Sequence, residues 1–283
     1  MLSKCGMARA WTVLWKDESR KPRSFAVGMQ STNPRKARIC NAVAMMFVFL
    51  AASRVSWAGP PYTTDDPEPV EYQHWEIYLA SQAEHDSDGW SGTSPHLEVN
   101  YGVFPNIQLH LIAPVAFNAP SHESSHFGHG DTELGVKYRF FQETDDLPQI
   151  GTFPLVELPS GNRQLGLGSG HAQVFLPIWL QKSFGPWTTY GGGGYWINPG
   201  EGNRNWTFVG WLLQRELFPG FTAGAEIFHE TTSVDGGESD TKFNIGAVYD
   251  FSETYHLLIS AGHTLQGPSG FQSYVALQAT FDP

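Results

Sequence analysis

Beyond Ala58 the chain has no cysteine, only 7 Lys and Arg against 26 Asp and Glu, and no uninterrupted apolar run of 18 residues. The first absence rules out a disulfide framework and any thiol chemistry. The second excludes nucleic acid as a partner, because neutralising phosphates needs clustered basic side chains. The third leaves no segment able to span a bilayer as a helix. Catalytic signatures are missing too: no GxSxG elbow, HExxH, P-loop or GxGxxG turn occurs. No cofactor is expected.

The first 58 residues are of another kind. They carry ten of the 17 basic residues, both cysteines (Cys5 and Cys40) and only two acids, Asp17 and Glu18. Arg35, Lys36 and Arg38 precede an apolar run from Ile39 to Ala52, and Ser56-Trp57-Ala58 puts small residues three before and one before Gly59. This is the layout of a secretory signal peptide cleaved after Ala58. A signal of ordinary length starts at Met29, so residues 29–58 are read as the signal and residues 1–28 as a mis-assigned start or a disordered extension. Residues 59–72, GPPYTTDDPEPVEY, hold four prolines and four acids and cannot form a strand or helix of any length. They are expected to be a leader, periplasmic or lumenal, ahead of a barrel over residues 73–283.

What the remainder does have is period two, the signature of a strand with unlike faces. In Thr93 to Phe117, Leu97, Val99, Tyr101 and Val103 alternate with His96, Glu98, Asn100 and Gly102. After Phe104-Pro105-Asn106 the apolar set resumes as Ile107, Leu109, Leu111, Ala113, Val115 and Phe117. The three residues between can only be a tight turn, so the two runs form an antiparallel hairpin. Each limb has the roughly 9–11 residues a transmembrane strand needs. Similar runs follow at Trp75–Ala83, Asp131–Phe140, Gln149–Leu158, Ala172–Gln181, Trp187–Ile197, Trp206–Gln214, Phe221–Glu230, Phe243–Tyr249, Leu257–Ala261 and Ser273–Phe281. Pro154 is a defect inside one of them. Polar loops are expected at His85–Gly92, Asn118–Gly130, Ser160–Gly170, Asn198–Asn203, Thr231–Asp240 and Leu265–Gly270. Tight turns alternate with them.

About twelve strands, with short turns at one rim and long loops at the other, predict an all-β transmembrane antiparallel up-and-down barrel. Aromatic residues near strand ends, among them Tyr101, Phe104, Phe140, Trp187, Trp206, Phe218 and Phe281, are expected to form the interfacial girdles. A secreted soluble β protein is the other reading of the same alternation. The barrel's partners are outer-membrane lipid, the outer-membrane insertion machinery and a small-molecule solute, and its compartment is the outer membrane of a Gram-negative bacterium.

The segments GPPYTTDDPEPVEYQHWEIYLASQ, GVFPNIQLHLIAPV, GDTELGVKYRF and PQIGTFPLVELPSGN resemble the outer-membrane barrel transporters named for the meta-pathway of phenol degradation. The resemblance spans nearly all of Gly59 to Phe281. It implies a barrel and the passage of small, often aromatic, molecules, and it supplies no binding residues.

Alternation turns a polar set away from lipid: Glu76, Glu98, Asn100, Gln108, His110, Glu133, Lys137, Arg139, Glu157, Gln173, Glu226 and Lys242, with Asp131 and Asp250. Two readings are open. The excess of acids suits a cation-preferring aqueous pore, whereas acids and bases paired across a small barrel would block it, as would the acidic leader. His122, His126 and His129, with Glu123 and Asp131, are the residue types that bind zinc, copper or nickel, though without fixed ligand spacing. His229 with Ser233 and His263 with Ser269 are the pairs a rim hydrolase would use, and neither has an orienting third group at a readable spacing. The expectation is a channel for passive uptake, not an enzyme. A closed structural or surface-binding barrel is the alternative.

Overall fold

The computed structural model describes residues 59–281, so the expected signal peptide and the residues before it lie outside the described residues. Fourteen strand segments follow the leader: β1 (Trp75–His85), β2 (Gly89–Phe104), β3 (Ile107–Pro120), β4 (His126–His129), β5 (Thr132–Phe141), β6 (Gln149–Thr152), β7 (Leu155–Leu158), β8 (Gln173–Phe184), β9 (Trp187–Ile197), β10 (Trp206–Phe218), β11 (Phe221–Glu230), β12 (Asp240–Asp250), β13 (Tyr255–Gln266) and β14 (Phe271–Phe281). Each pairs antiparallel with its neighbours, and β1 meets β14 from Trp75↔Phe281 to His85↔Phe271, which closes the sheet. Segments β4 and β5 both pair with β3, and β6 and β7 each pair with β5 on one side and β8 on the other, as one interrupted strand. The wall is therefore a closed barrel of twelve strands. Closure leaves no free edge, the condition for a sheet to sit in hydrocarbon.

The two faces differ as the alternation demands. Leu79, Leu97, Leu109, Val136, Ile178, Val209, Leu213, Ile245, Ile259 and Leu277 are all exposed on the outside, an apolar belt too large for a water-facing surface. Glu98, Asn100, Gln108, His110, Lys137, Gln181, Glu226, Asn244 and Gln278 are buried on the inside. Tight turns hold the short rim because Asn106, Gly185 and Gly220 adopt left-handed backbone at φ 72°, 60° and 79°, which Gly and Asn tolerate best.

Three expectations are corrected. First, β2 begins at Gly89 and β13 runs to Gln266, so connections 86–88 and 267–270 are short and loop length sorts less cleanly by rim. Strands β1 and β2 keep pairing to their ends, where His85 packs on Trp90 at 4.6 Å. Second, the loop expected over Asn118–Gly130 is partly strand, because β3 continues to Pro120 and His126–His129 pairs against it. Third, the strand expected over Gln149–Leu158 breaks at Phe153-Pro154, since proline lacks the N–H that would continue the ladder.

Candidate functional site

The leader lies inside the barrel. It enters beside the short-turn rim, where Gln73 N donates to Gly102 O at 2.7 Å and Tyr72 bridges Gly102. Gly102 is required there, since a Cβ would strike the Glu71 carbonyl. From that entry the chain crosses the lumen and is held from around its circumference. Val70 N donates to Gln108 Oε1 at 2.8 Å on β3, and Glu68 accepts from Gln149 Nε2 (3.0 Å) on β6 and Gln181 Nε2 (2.9 Å) on β8. Lys137 Nζ on β5 lies 2.8 Å from Asp65 and 3.3 Å from Asp66. The Glu226 carboxylate on β11 accepts from Thr63 N (2.8 Å) and Thr64 N (2.7 Å). Ser260 on β13 donates to the Pro61 carbonyl.

Proline spacing explains why this stretch docks rather than pairs. Pro60, Pro61, Pro67 and Pro69 cannot join a ladder; the N–H groups of Thr63, Thr64 and Val70 go to side chains on the wall, and those of Asp66 and Glu68 to the leader's own carboxylates. Thr64 and Asp66 are fully buried. Burial pushes the Asp66 carboxyl well above the ordinary carboxylate range, and the Lys137 ammonium pulls against that shift.

The polar residues singled out in the sequence fall into three groups. Gln108, Lys137, Arg139 and Glu226 grip the leader; Arg139 also bonds Asn106 Oδ1 through Nε (3.0 Å) and Nη2 (2.9 Å) and lies 3.5 Å from Glu68. Glu98, Asn100, His110 and Glu133 form a second network, with Glu76 opposite Asn100 on the neighbouring strand. There Tyr78 donates to Glu76 (2.9 Å), Asn100 Nδ2 donates to Glu98 (2.8 Å), and His110 joins Asn100 Oδ1 (2.7 Å) to Glu133 (2.8 Å). Glu157, Gln173 and Lys242 stand nearer the other rim. Gln173 donates to Glu157 (3.2 Å), and Lys242 reaches Glu230 (3.5 Å) and Asp240 (3.2 Å).

That rim carries a vestibule of about 610 Å³, bordered by the loops bearing Ser169, Asn198, Asn203 and Ser233 and floored at Thr63 of the leader. A side slot of about 160 Å³ opens among Phe153, Phe175, Trp179, Trp196 and Phe208. These rings form a cluster in which Phe175 stacks on Trp196 (4.8 Å) and Trp196 on Trp206 (5.3 Å). Sequence reading missed this aromatic wall. The signal was present: once Val174, Leu176 and Ile178 face lipid, Phe175 and Trp179 must face inward. Trp206, expected in an interfacial girdle, belongs to the inner stack.

Other candidates are not brought together. His122 is exposed, His126 pairs across to Asn118, and His129 bonds the Gly130 carbonyl. Among the described residues no three His, Cys, Asp or Glu side chains converge to hold a metal. His229 bonds Thr241 on the outward face (3.0 Å) while Ser233 borders the vestibule, and His263 bonds the Thr264 carbonyl (3.1 Å). Asp131 instead ties down the longest loop, accepting from Gly161 N (2.9 Å) and Ser169 N (2.6 Å).

A closed barrel with a greasy outside and a polar inside is an outer-membrane β-barrel. Solved structures share the fold. The COG4313 outer membrane channel from Pseudomonas putida F1 superposes with a TM-score of 0.65 at 16% identity, over 80% of this chain and 100% of that one. The KdgM porin in complex with disordered oligogalacturonate gives 0.53 at 11%, over 73% and 99%, and the NanC porin 0.51 at 8%, over 72% and 98%. No family model matches the chain, and no curated protein matches it in sequence.

Proposed function

We propose that this barrel is an outer-membrane channel for passive movement of small molecules, with its own leader seated in the lumen as a removable closure. The observation that carries the reading is the kind of contact that seats the leader. Hydrogen bonds and ion pairs to side chains hold it, and apart from the single bridge at Tyr72 it is not built into the sheet. Such contacts exchange with water far more readily than a strand leaves a ladder. The aromatic wall above the leader supports solutes that are aromatic or otherwise apolar, in keeping with the resemblance to the meta-pathway transporters. Entry of small aromatic solutes into liposomes bearing the purified chain tests the reading. Uptake above protein-free vesicles is expected, and none would count against it.

A second reading, a permanently closed structural barrel, is favoured by the number of strands that grip the leader. It predicts that loosening the leader gives no permeability.

A further inference from the structure

The vestibule and the aromatic slot share the borders Thr63, Trp196, Trp206 and Glu230, so one ligand can occupy both. Their chemistry is complementary and polarised. A cavity of roughly the slot's size accepts one benzene ring; Phe153, Phe175 and Phe208 line it, and Asp65 stands on its border. The vestibule next to it carries the carboxylates of Glu84, Glu133, Glu157 and Glu230, against which its lining has Lys242. Carboxylates beside aromatic faces favour a cation at the slot's mouth, through charge and through the ring quadrupoles together. An anion there would meet like charge.

A separate observation sits at the other end. The indole nitrogen of Trp179, which borders the slot and is 1% exposed, has no hydrogen-bond partner among the described residues. A buried N–H left unpaired is costly, and a ligand oxygen would relieve it. We propose that this double cavity binds a phenolic aryl-alkyl ammonium, its ring in the slot, its ring oxygen toward Trp179 and its ammonium among Glu230, Glu157 and Glu84. The proposal rests on the channel reading only in taking this occupant to be the travelling solute.

Calorimetric titration of the detergent-solubilised chain with tyramine, phenethylamine, 4-ethylphenol and 3-(4-hydroxyphenyl)propionate tests it. Tyramine is expected to bind about tenfold tighter than neutral 4-ethylphenol, with the anion weakest. Glu157→Gln and Glu230→Gln should each weaken tyramine several-fold and leave 4-ethylphenol unchanged. Lys242→Met, which removes the competing cation, should tighten it. Trp179→Phe should abolish the preference for tyramine over phenethylamine, and Glu253→Gln at the opposite rim should change nothing. Equal affinity for amine, neutral and anion, or tyramine binding indifferent to both Glu157→Gln and Glu230→Gln, would overturn the site. Because binding is read without transport, loss of binding with intact liposome uptake removes the ligand class alone. Binding without uptake removes the channel alone.

Discussion

The two ends of the lumen are built from the same alternation yet behave as opposites. At the short-turn end the inward side chains are long and polar, Gln108, Lys137, Arg139, Gln149 and Gln181, and each reaches the leader. Toward the long-loop end Phe175, Trp179, Trp196, Phe208 and Phe228 on β8 to β11 point inward as a cluster of rings, and the space beside them is a cavity. The difference teaches that an inward-facing position is not by itself a water-facing one. What fills the middle of a narrow barrel decides whether a polar side chain lines a path or serves as a clamp.

If the short-turn end is a clamp, its substitutions should be costly and those at the vestibule mild. The largest effect is expected from Lys137→Met, which leaves Asp65 and the fully buried Asp66 without their cation. Removing one partner of a buried ion pair costs about 3–5 kcal/mol. Protease cutting within residues 59–72 should read this as release of the leader, and adding Asp65→Asn and Asp66→Asn should reverse much of the effect. Glu226→Ala comes next, since it strips two backbone N–H groups of their acceptor. A loss of about 1–3 kcal/mol is expected in the same assay. Glu84→Gln, at the vestibule, should shift urea unfolding by no more than about 0.5 kcal/mol. An effect of Glu84→Gln equal to that of Lys137→Met would dissolve the contrast.

Much of this was legible in the sequence, for identifiable reasons. Period two separates the two faces of β3 from Ile107 to Phe117 and of β5 from Thr132 to Phe140, and a one-residue slip would have put Lys137 in lipid. The inner aromatics followed from the same rule and were overlooked, because a ring reads as lipid-facing until the parity of its neighbours is counted. Partners could not be read at all. Nothing local to Glu226 says that it receives Thr63 and Thr64, which lie more than 160 residues away in the chain. Nor does the composition of β2 reveal that its pairing extends back to Gly89.

Single-channel conductance of the chain with and without residues 59–72, compared under identical voltage and salt, tests the central claim most directly. A leader that closes the lumen predicts a small or absent current for the intact chain and a stable, several-fold larger one after its removal. Equal currents from the two forms would contradict it.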